Sequence, residues 1–202
     1  MRKWCGIICI FFGVVCILSS VGLVIYNRLE EENAEDVSQE LLEDVQSIID
    51  EKKAEQNDTD YVPDEIEKAP AEMARVKVDG NDCIGILSIP VINLELPVLT
   101  DWSYAKLKKA PCHYYGTYYE KNFVIAAHNY KAHFGRLPEL QKGDSVFITD
   151  VNGDTYCYEV ILLETLPKEA TKEMITSGFD LSLYTCTLGG ANRVTVRCNA
   201  VK

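Results

Sequence analysis

Cys186, His128 and Arg193 are the residues of this chain whose chemistry can combine. A thiol attacks a carbonyl only as thiolate, and a nearby imidazolium stabilises that state. The chain has only three histidines. His128 ends the apolar run Phe123-Val-Ile-Ala-Ala127, and Cys186 ends the run Leu181-Ser-Leu-Tyr-Thr185. Arg193 opens the run Arg193-Val-Thr-Val196, just past a Gly-Gly turn. If the last two runs pair through that turn, Arg193 returns close to Cys186. A guanidinium there can donate to a developing oxyanion or to a substrate backbone. Each residue alone has a plainer reading: a structural strand-end His, a small buried Cys, a surface Arg. Together, at three strand boundaries, they suggest a site built on a rigid wall.

Short strands must carry these side chains. Cys83–Pro90 and Val91–Val98 read as two strands around a Pro-containing corner, and Asn122–Ala127 as a third. Ser145–Asp150 and Thr155–Leu162 flank Asn152-Gly153, a strong hairpin signal. Leu181–Thr187 and Arg193–Val201 form a final pair. Many short strands with turn signals at close spacing predict a mainly β domain, a closed or nearly closed barrel. Short helices are expected near Trp102–Lys108 and Phe134–Leu140.

The remainder of the chain reads as an anchor and a stem. Trp4 to Tyr26 is an uncharged run of 23 residues, enough to span roughly 30 Å of hydrocarbon. Aromatic residues stand at its ends, Arg2 and Lys3 precede it, and acids follow Arg28. This predicts a transmembrane helix with a cytoplasmic N-terminus and everything after residue 28 outside. A cleaved signal peptide is the competing reading, but its apolar core would be unusually long and no small-x-small site follows.

The net charge of -11 is unevenly spread. Residues 29–75 hold 17 acids against 4 bases, whereas residues 76–202 are nearly neutral, with 14 acids and 13 bases. Nothing resembles the basic stripe of a nucleic-acid binder, so no nucleic-acid partner is expected. Val37, Leu41, Val45, Ile48 and Ile49 recur at helical spacing, which predicts a helix over 35–54, read as a solvated stalk. Residues 56–72 read as a flexible linker. The expected division is therefore an anchor over 1–28, an acidic stem and linker over 29–75, and a folded domain over 76–202.

Of eight cysteines, Cys83, Cys112, Cys157, Cys186 and Cys198 lie outside the apolar run. Five is odd, so at least one cannot pair within the chain. No spacing matches a zinc site, and the disulfide state of the other four stays open. His133 is expected to be exposed in a polar loop, and His113 to lie in a loop able to line a groove. Tyr114, Tyr115, Tyr118, Tyr119 and Tyr130 read as packing aromatics or as groove walls.

Several stretches together resemble the sortase family. Ser182-Leu-Tyr-Thr-Cys186 resembles its Thr-Leu-x-Thr-Cys signature, with Ser for the first Thr. Ala127-His-Asn-Tyr130, Phe134-Gly-Arg-Leu137 with Leu140, Gly143 and Asp144, Arg193-Val-Thr-Val-Arg197 and Gly85-Ile-Leu-Ser-Ile-Pro90 are similar to further family segments, in the family's order over roughly residues 82–201. The resemblance implies a sortase-like eight-stranded β-barrel with a few short helices, behind a membrane helix and helical stem. It implies a cysteine transpeptidase with Cys186 as nucleophile, His128 as proton partner and Arg193 as third catalytic residue. Arg197, on the same strand face, is the competing arginine, but Arg193 lies nearer the turn. Asn129, Thr185 and Arg197 are expected to contact the substrate.

By the same resemblance, the substrate is a secreted protein with a C-terminal Leu-Pro-x-Thr-Gly-like sorting signal. The acceptor is an amine, on a peptidoglycan precursor such as lipid II or on a pilin lysine. No organic cofactor is implied. Calcium helps some relatives, with Glu139, Asp144, Asp150 and Asp154 as candidate oxygen ligands here, but a solvated acidic surface is the plainer reading. Two rival functions are a hydrolytic cell-wall cysteine peptidase and a non-enzymatic, membrane-tethered β domain that binds a partner. Papain-like enzymes place Cys before His, whereas here His128 comes first by 58 residues. Chymotrypsin-like cysteine proteases usually show Gly-x-Cys-Gly, unlike Thr185-Cys-Thr187.

Overall fold

The computed structural model describes residues 2–57 and 72–201, the first few and last two residues of the opening helix by backbone alone. Nine strands follow that helix: β1 (Val76–Val78), β2 (Asn81–Ile89), β3 (Leu94–Leu99), β4 (Cys112–Tyr115), β5 (Phe123–Ala126), β6 (Ser145–Asp150), β7 (Thr155–Pro167), β8 (Leu181–Cys186) and β9 (Asn192–Ala200). The opening helix is α1 (Arg2–Asn57), and two short helices are α2 (Tyr104–Leu107) and α3 (Thr171–Ile175).

Strands β2 to β9 close on themselves in the order β2-β3-β4-β5-β8-β9-β7-β6, with β6 pairing back to β2. This is the expected eight-stranded barrel, and β1 merely extends the start of β2. Most pairs are antiparallel, but β3–β4 and β5–β8 run parallel. Alternate residues fill the interior: Phe123 and Ile125 from β5, Leu181 and Leu183 from β8, Val196 and Cys198 from β9. Phe134 and Leu137, on a 3-10 turn over Phe134–Glu139, join that core. Side chains alternate along a strand, so Ala126, Tyr184, Cys186, Arg193 and Arg197 point to the outer face.

The stem departs from the solvated stalk expected of it. No helix breaker stands between Tyr26 and Glu35, and α1 runs unbroken from the apolar segment into the acidic one. Described side chains from Ile10 to Arg28 are all exposed, which leaves an apolar helix surface fit to face lipid. Further along, Leu41, Leu42, Val45 and Ile49 are buried against Ile86 and Leu99 of the barrel, Val78 of β1 and Leu107 of α2. Burying such side chains contributes roughly 1.5–3 kcal/mol each, well above the cost of leaving an acidic face in water. Near the helix end, Lys52 Nζ donates to Asn152 Oδ1 in the β6–β7 turn, at 3.3 Å. The linker predicted over 56–72 falls mainly on residues outside those described.

Candidate active site

Three neighbouring strands bring the chemical residues level. Val124 lies opposite Ser182 and Ala126 opposite Tyr184 in the β5–β8 register. Two residues further, the alternation sets His128 beside Cys186 on the outer face. In the antiparallel β8–β9 pair, Cys186 is the register partner of Arg193. Adjacent strands lie ~4.8 Å apart, so the three side chains form a row, and all three line one cleft of about 170 Å³.

The turn behind the row explains its geometry. Gly189 and Gly190 adopt φ of 84° and 74°, a region that side-chain-bearing residues rarely enter. Thr187 N–H donates to the Asn192 carbonyl at 3.0 Å, and Asn192 N–H returns a bond to Thr187 Oγ1 at 3.1 Å. Arg193 Nη1 donates to the carbonyls of Gly190 at 3.0 Å and Asn192 at 3.1 Å. The guanidinium is thus held at the cleft by the turn itself.

Aromatic side chains form one stretch of the lining; Tyr114 was weighed as a groove wall, whereas Trp102, Tyr104 and Tyr184 were missed by the sequence reading. Trp102, Tyr104, Tyr114 and Tyr184 meet in a chain of ring contacts with centroids 5.5–5.9 Å apart. Tyr184 was accessible to reasoning, since it stands two residues before Cys186 and so shares its face. Met174 of α3, with Pro167, Lys168 and Thr171, supplies another stretch. Tyr118 and Tyr119 instead pack with Tyr156.

Among the described residues every cysteine is a free thiol. Burial pushes Cys83 up to about 11, and Cys112 and Cys198 up to about 12. Such thiols stay protonated at neutral pH and make poor nucleophiles. Cys157 is exposed but lines a different hollow. Cys186 alone of the described cysteines shares a cleft with a histidine and an arginine.

His128 is half-buried, with its ring stacked on Tyr130 at 4.9 Å. Burial lowers its pKa below the usual histidine value, the Glu30 carboxylate pulls it back up, and the Lys108 ammonium pushes it down. Its resting ring is therefore mostly neutral at pH 7. Turn bonds hold the loop after it: Phe134 N–H donates to the His128 carbonyl at 3.0 Å, and Gly135 N–H to the Tyr130 carbonyl at 2.8 Å. A Cβ on Gly135 would fall 2.6 Å from the Asn129 carbonyl oxygen and 2.7 Å from that of Tyr130. Gly135→Ala is therefore expected to push the His128 loop outward and to cost about 1–3 kcal/mol by overpacking. Urea unfolding of the two proteins checks this.

His133 is buried, not exposed as expected, because α1 covers its loop. Desolvation, helped by nearby His128, lowers its pKa to about 4, against the opposing pull of the Ala34 and Lys109 carbonyls. The unfolded chain takes up this proton near the ordinary histidine value of about 6.5. Between those values the unfolded state binds more protons, so stability is full above about pH 6.5 and falls as pH drops toward 4. The expected loss is roughly 3 kcal/mol over the window, and His133→Phe removes that part of the slope. Urea unfolding of both proteins across this pH range measures it.

Of the three expected substrate contacts, Thr185 and Arg197 are buried away from the cleft. Thr185 is 2% exposed because its side chain turns inward, and its hydroxyl donates to the Ala127 carbonyl at 2.9 Å. It fixes β8 against the end of β5, one residue before His128. Arg197 is also 2% exposed. It shares the outer face with Arg193, but α3 and its flanks cover it. Its Nε donates to Glu164 Oε1 at 2.8 Å, Nη1 to Ser182 Oγ at 2.8 Å, and Nη2 to the Glu173 carbonyl at 2.9 Å. Neither side chain reaches the cleft. Asn129 is half-exposed beside His128 but outside the cleft lining. His113 sits in β4, with its ring nitrogens 3.0 and 2.7 Å from the carbonyls of Thr100 and Gly116.

Three of the four acids weighed for calcium, Asp154 apart, hold local side-chain partners. Glu139 pairs with Arg136, Asp144 accepts from Gln141 N–H, and Asp150 accepts from the N–H groups of Asn152 and Asp154. Among the described residues no three His, Cys, Asp or Glu side chains gather as a metal site.

A family model described as Sortase domain matches residues 87–201. The chain belongs to the sortase family. Sortase D of Bacillus subtilis (strain 168) is 31% identical over 100 residues, which cover 48% of this chain and 50% of that protein. Sortase A of Bacillus anthracis is 29% identical over 126 residues, or 57% and 58% of the two chains. This sortase thus matches little more than half the length of these curated relatives. The structure of a Clostridium perfringens Sortase D5 transpeptidase aligns with a TM-score of 0.60 at 20% identity, over 83% of this chain and 99% of that one. Sortase C1 of Streptococcus suis aligns with a TM-score of 0.53 at 26% identity, over 59% and 73%. The sortase match contains Cys186, His128 and Arg193 and leaves out all of α1.

Proposed function

We propose that this chain is a membrane-anchored cysteine transpeptidase acting on secreted proteins with a C-terminal sorting signal of the Leu-Pro-x-Thr-Gly kind. The observation that carries the reading is the row of His128, Cys186 and Arg193 in one cleft of a sortase barrel. Cys186 gives its proton to His128, and the thiolate attacks the carbonyl carbon before the scissile bond. Arg193 donates hydrogen bonds to the oxyanion. The C–N bond then breaks, His128 hands its proton to the leaving amine, and a thioester remains on Cys186. An acceptor amine attacks that thioester, His128 takes the amine's proton, and the thiolate leaves. Asn129, half-exposed beside His128, is kept as a substrate contact. The acceptor is a peptidoglycan precursor amine or a pilin lysine.

The proposed division is an anchor over 1–28, a stem over 29–75 and a catalytic domain over 76–202. Residues 4–26 cross the membrane once, with the N-terminus in the cytoplasm. Both substrate tail and a lipid-linked acceptor then lie at the same surface as the enzyme.

The test incubates the full chain in detergent micelles with a panel of sorting-signal peptides and an amine acceptor, followed by mass spectrometry. The expected result is an acyl adduct mapping to Cys186, then an amine-capped product. An adduct that ends only in hydrolysed peptide points to the peptidase. No adduct with any peptide, or one carried by Cys157, sinks the assignment.

A further inference from the structure

The loop that carries His128 does not stand on the barrel alone. It is gripped from the side by the part of α1 that leaves the apolar segment. Lys131 N–H donates to Glu31 Oε1 at 2.6 Å, across 100 residues of sequence. Glu30 pairs with Lys108, the residue that follows α2. One and two turns on, Ala34 and Ser38 are 1% and 2% exposed, and His133 at the loop's far end is fully buried. Neither His133 ring nitrogen makes a well-formed hydrogen bond, nor does Ser38 Oγ. A buried polar contact of that kind persists only where the surrounding packing holds it, so the docked helix and the loop constrain one another.

The bonds within the loop show why an outside support is needed. Phe134 and Gly135 N–H groups return to the carbonyls of His128 and Tyr130, and His133 N–H also returns to Tyr130, at 3.0 Å. Lys131 N–H is the group at the loop's tip that the helix satisfies. Glu31 thus ties down the chain three residues after His128. Tyr130, between them, stacks on the imidazole.

We infer that Glu30 and Glu31 of the stem helix are positioning residues for His128: Glu31 fixes the loop by accepting the Lys131 N–H, and Glu30, one residue before it and paired with Lys108, brings a carboxylate to the same side of that loop. This rests on the proposed role of His128 as the proton carrier. Each turnover makes an imidazolium twice, when Cys186 gives up its proton and when the acceptor amine does. A carboxylate nearby stabilises that state by Coulomb attraction. The groups facing His128 are Glu30 from α1, Lys108 beyond α2, Tyr130 and His133 from its own loop, Cys186 from β8 and Arg193 from β9. Glu30 supplies a carboxylate among them. It raises the His128 pKa against burial and Lys108. A catalytic domain cut free of α1 keeps the row of three side chains but loses this support.

The test uses the full chain in lipid nanodiscs and the variants Glu31→Ala, Glu31→Gln and Glu30→Gln, with Glu43→Gln on the exposed side of α1 as control. Three readouts are taken: melting temperature, the rate and KM of Cys186 acylation by a sorting-signal peptide, and titration of the histidine rings by NMR. Glu31→Ala is expected to lower the acylation rate about tenfold to a hundredfold, with little change in KM or melting temperature. Glu31→Gln keeps an acceptor oxygen and restores most of the rate. Glu30→Gln moves the His128 titration, and with it the acid limb of the rate profile, to lower pH. Native rates and native His128 titration in Glu31→Ala and Glu30→Gln overturn the inference. Equal losses in both Glu31 variants, or losses that track a lower melting temperature, overturn it as well. If no peptide acylates even the native chain, the transpeptidase reading fails. The His128 titration and ring shifts then still decide whether the stem acts on that residue.

Discussion

Arg197→Ala is expected to destabilise the folded domain by about 3 kcal/mol, the low end of the range for breaking a buried ion pair. The low end applies because Glu164, its ionic partner, keeps a side chain 31% exposed and can turn to water once the arginine is gone. The cost comes from more than the pair. Ser182 Oγ and the carbonyls of Glu173 and Met174 all accept from the same guanidinium. Their removal leaves β8, β9 and α3 without a common tie, beneath the stretch that puts Met174 on the cleft. Urea unfolding of both proteins measures the loss. Arg197→Lys recovers little, since one ammonium cannot span acceptors on three elements.

Arg193→Ala is expected to behave in the opposite way. Its side chain is partly exposed and its hydrogen bonds run to two turn carbonyls, so stability should change by no more than about 0.5 kcal/mol. Acylation of Cys186 should slow by a factor of about 10²–10³, the usual cost of removing one oxyanion donor. Arg193→Lys keeps the charge but not the planar fork, and recovers part of the rate. Rapid-quench acylation with a sorting-signal peptide, beside thermal melting, separates the two arginines. A normal acylation rate in Arg193→Ala would remove it from the proposed mechanism.

The contrast between these arginines marks how far the sequence could be read. Their spacing of four puts them on one strand face, and the structure agrees. What covers Arg197 is the chain between β7 and β8, and strand alternation says nothing of where such a connection lies. Thr185 was legible in principle, since it stands between two outward residues and so turns inward. The row of His128, Cys186 and Arg193 was readable because each sits at the end of an apolar run, where register and turn length leave few placements. Strand β4 was missed because Cys112-His-Tyr-Tyr115 shows no alternation. The stripe of Leu41, Val45 and Ile49 was visible, but an apolar stripe does not name what it packs on. His133 followed the same logic: its polar neighbours suggested solvent, and only the docking of α1 buries it.

The unbroken course of α1 also fixes an altitude. Glu31, the α1 residue that holds the His128 loop, stands five positions after Tyr26, the end of the apolar run, about 8 Å at the helical rise. On the proposed topology, the cleft rides among the lipid headgroups and cannot swing away from them. Search for a partner then takes place in two dimensions, and a membrane-held substrate meets the thiol at a high effective concentration. Weak intrinsic recognition of the signal is sufficient there. The same enzyme freed into solution would need far more peptide for the same rate, with its chemistry unchanged.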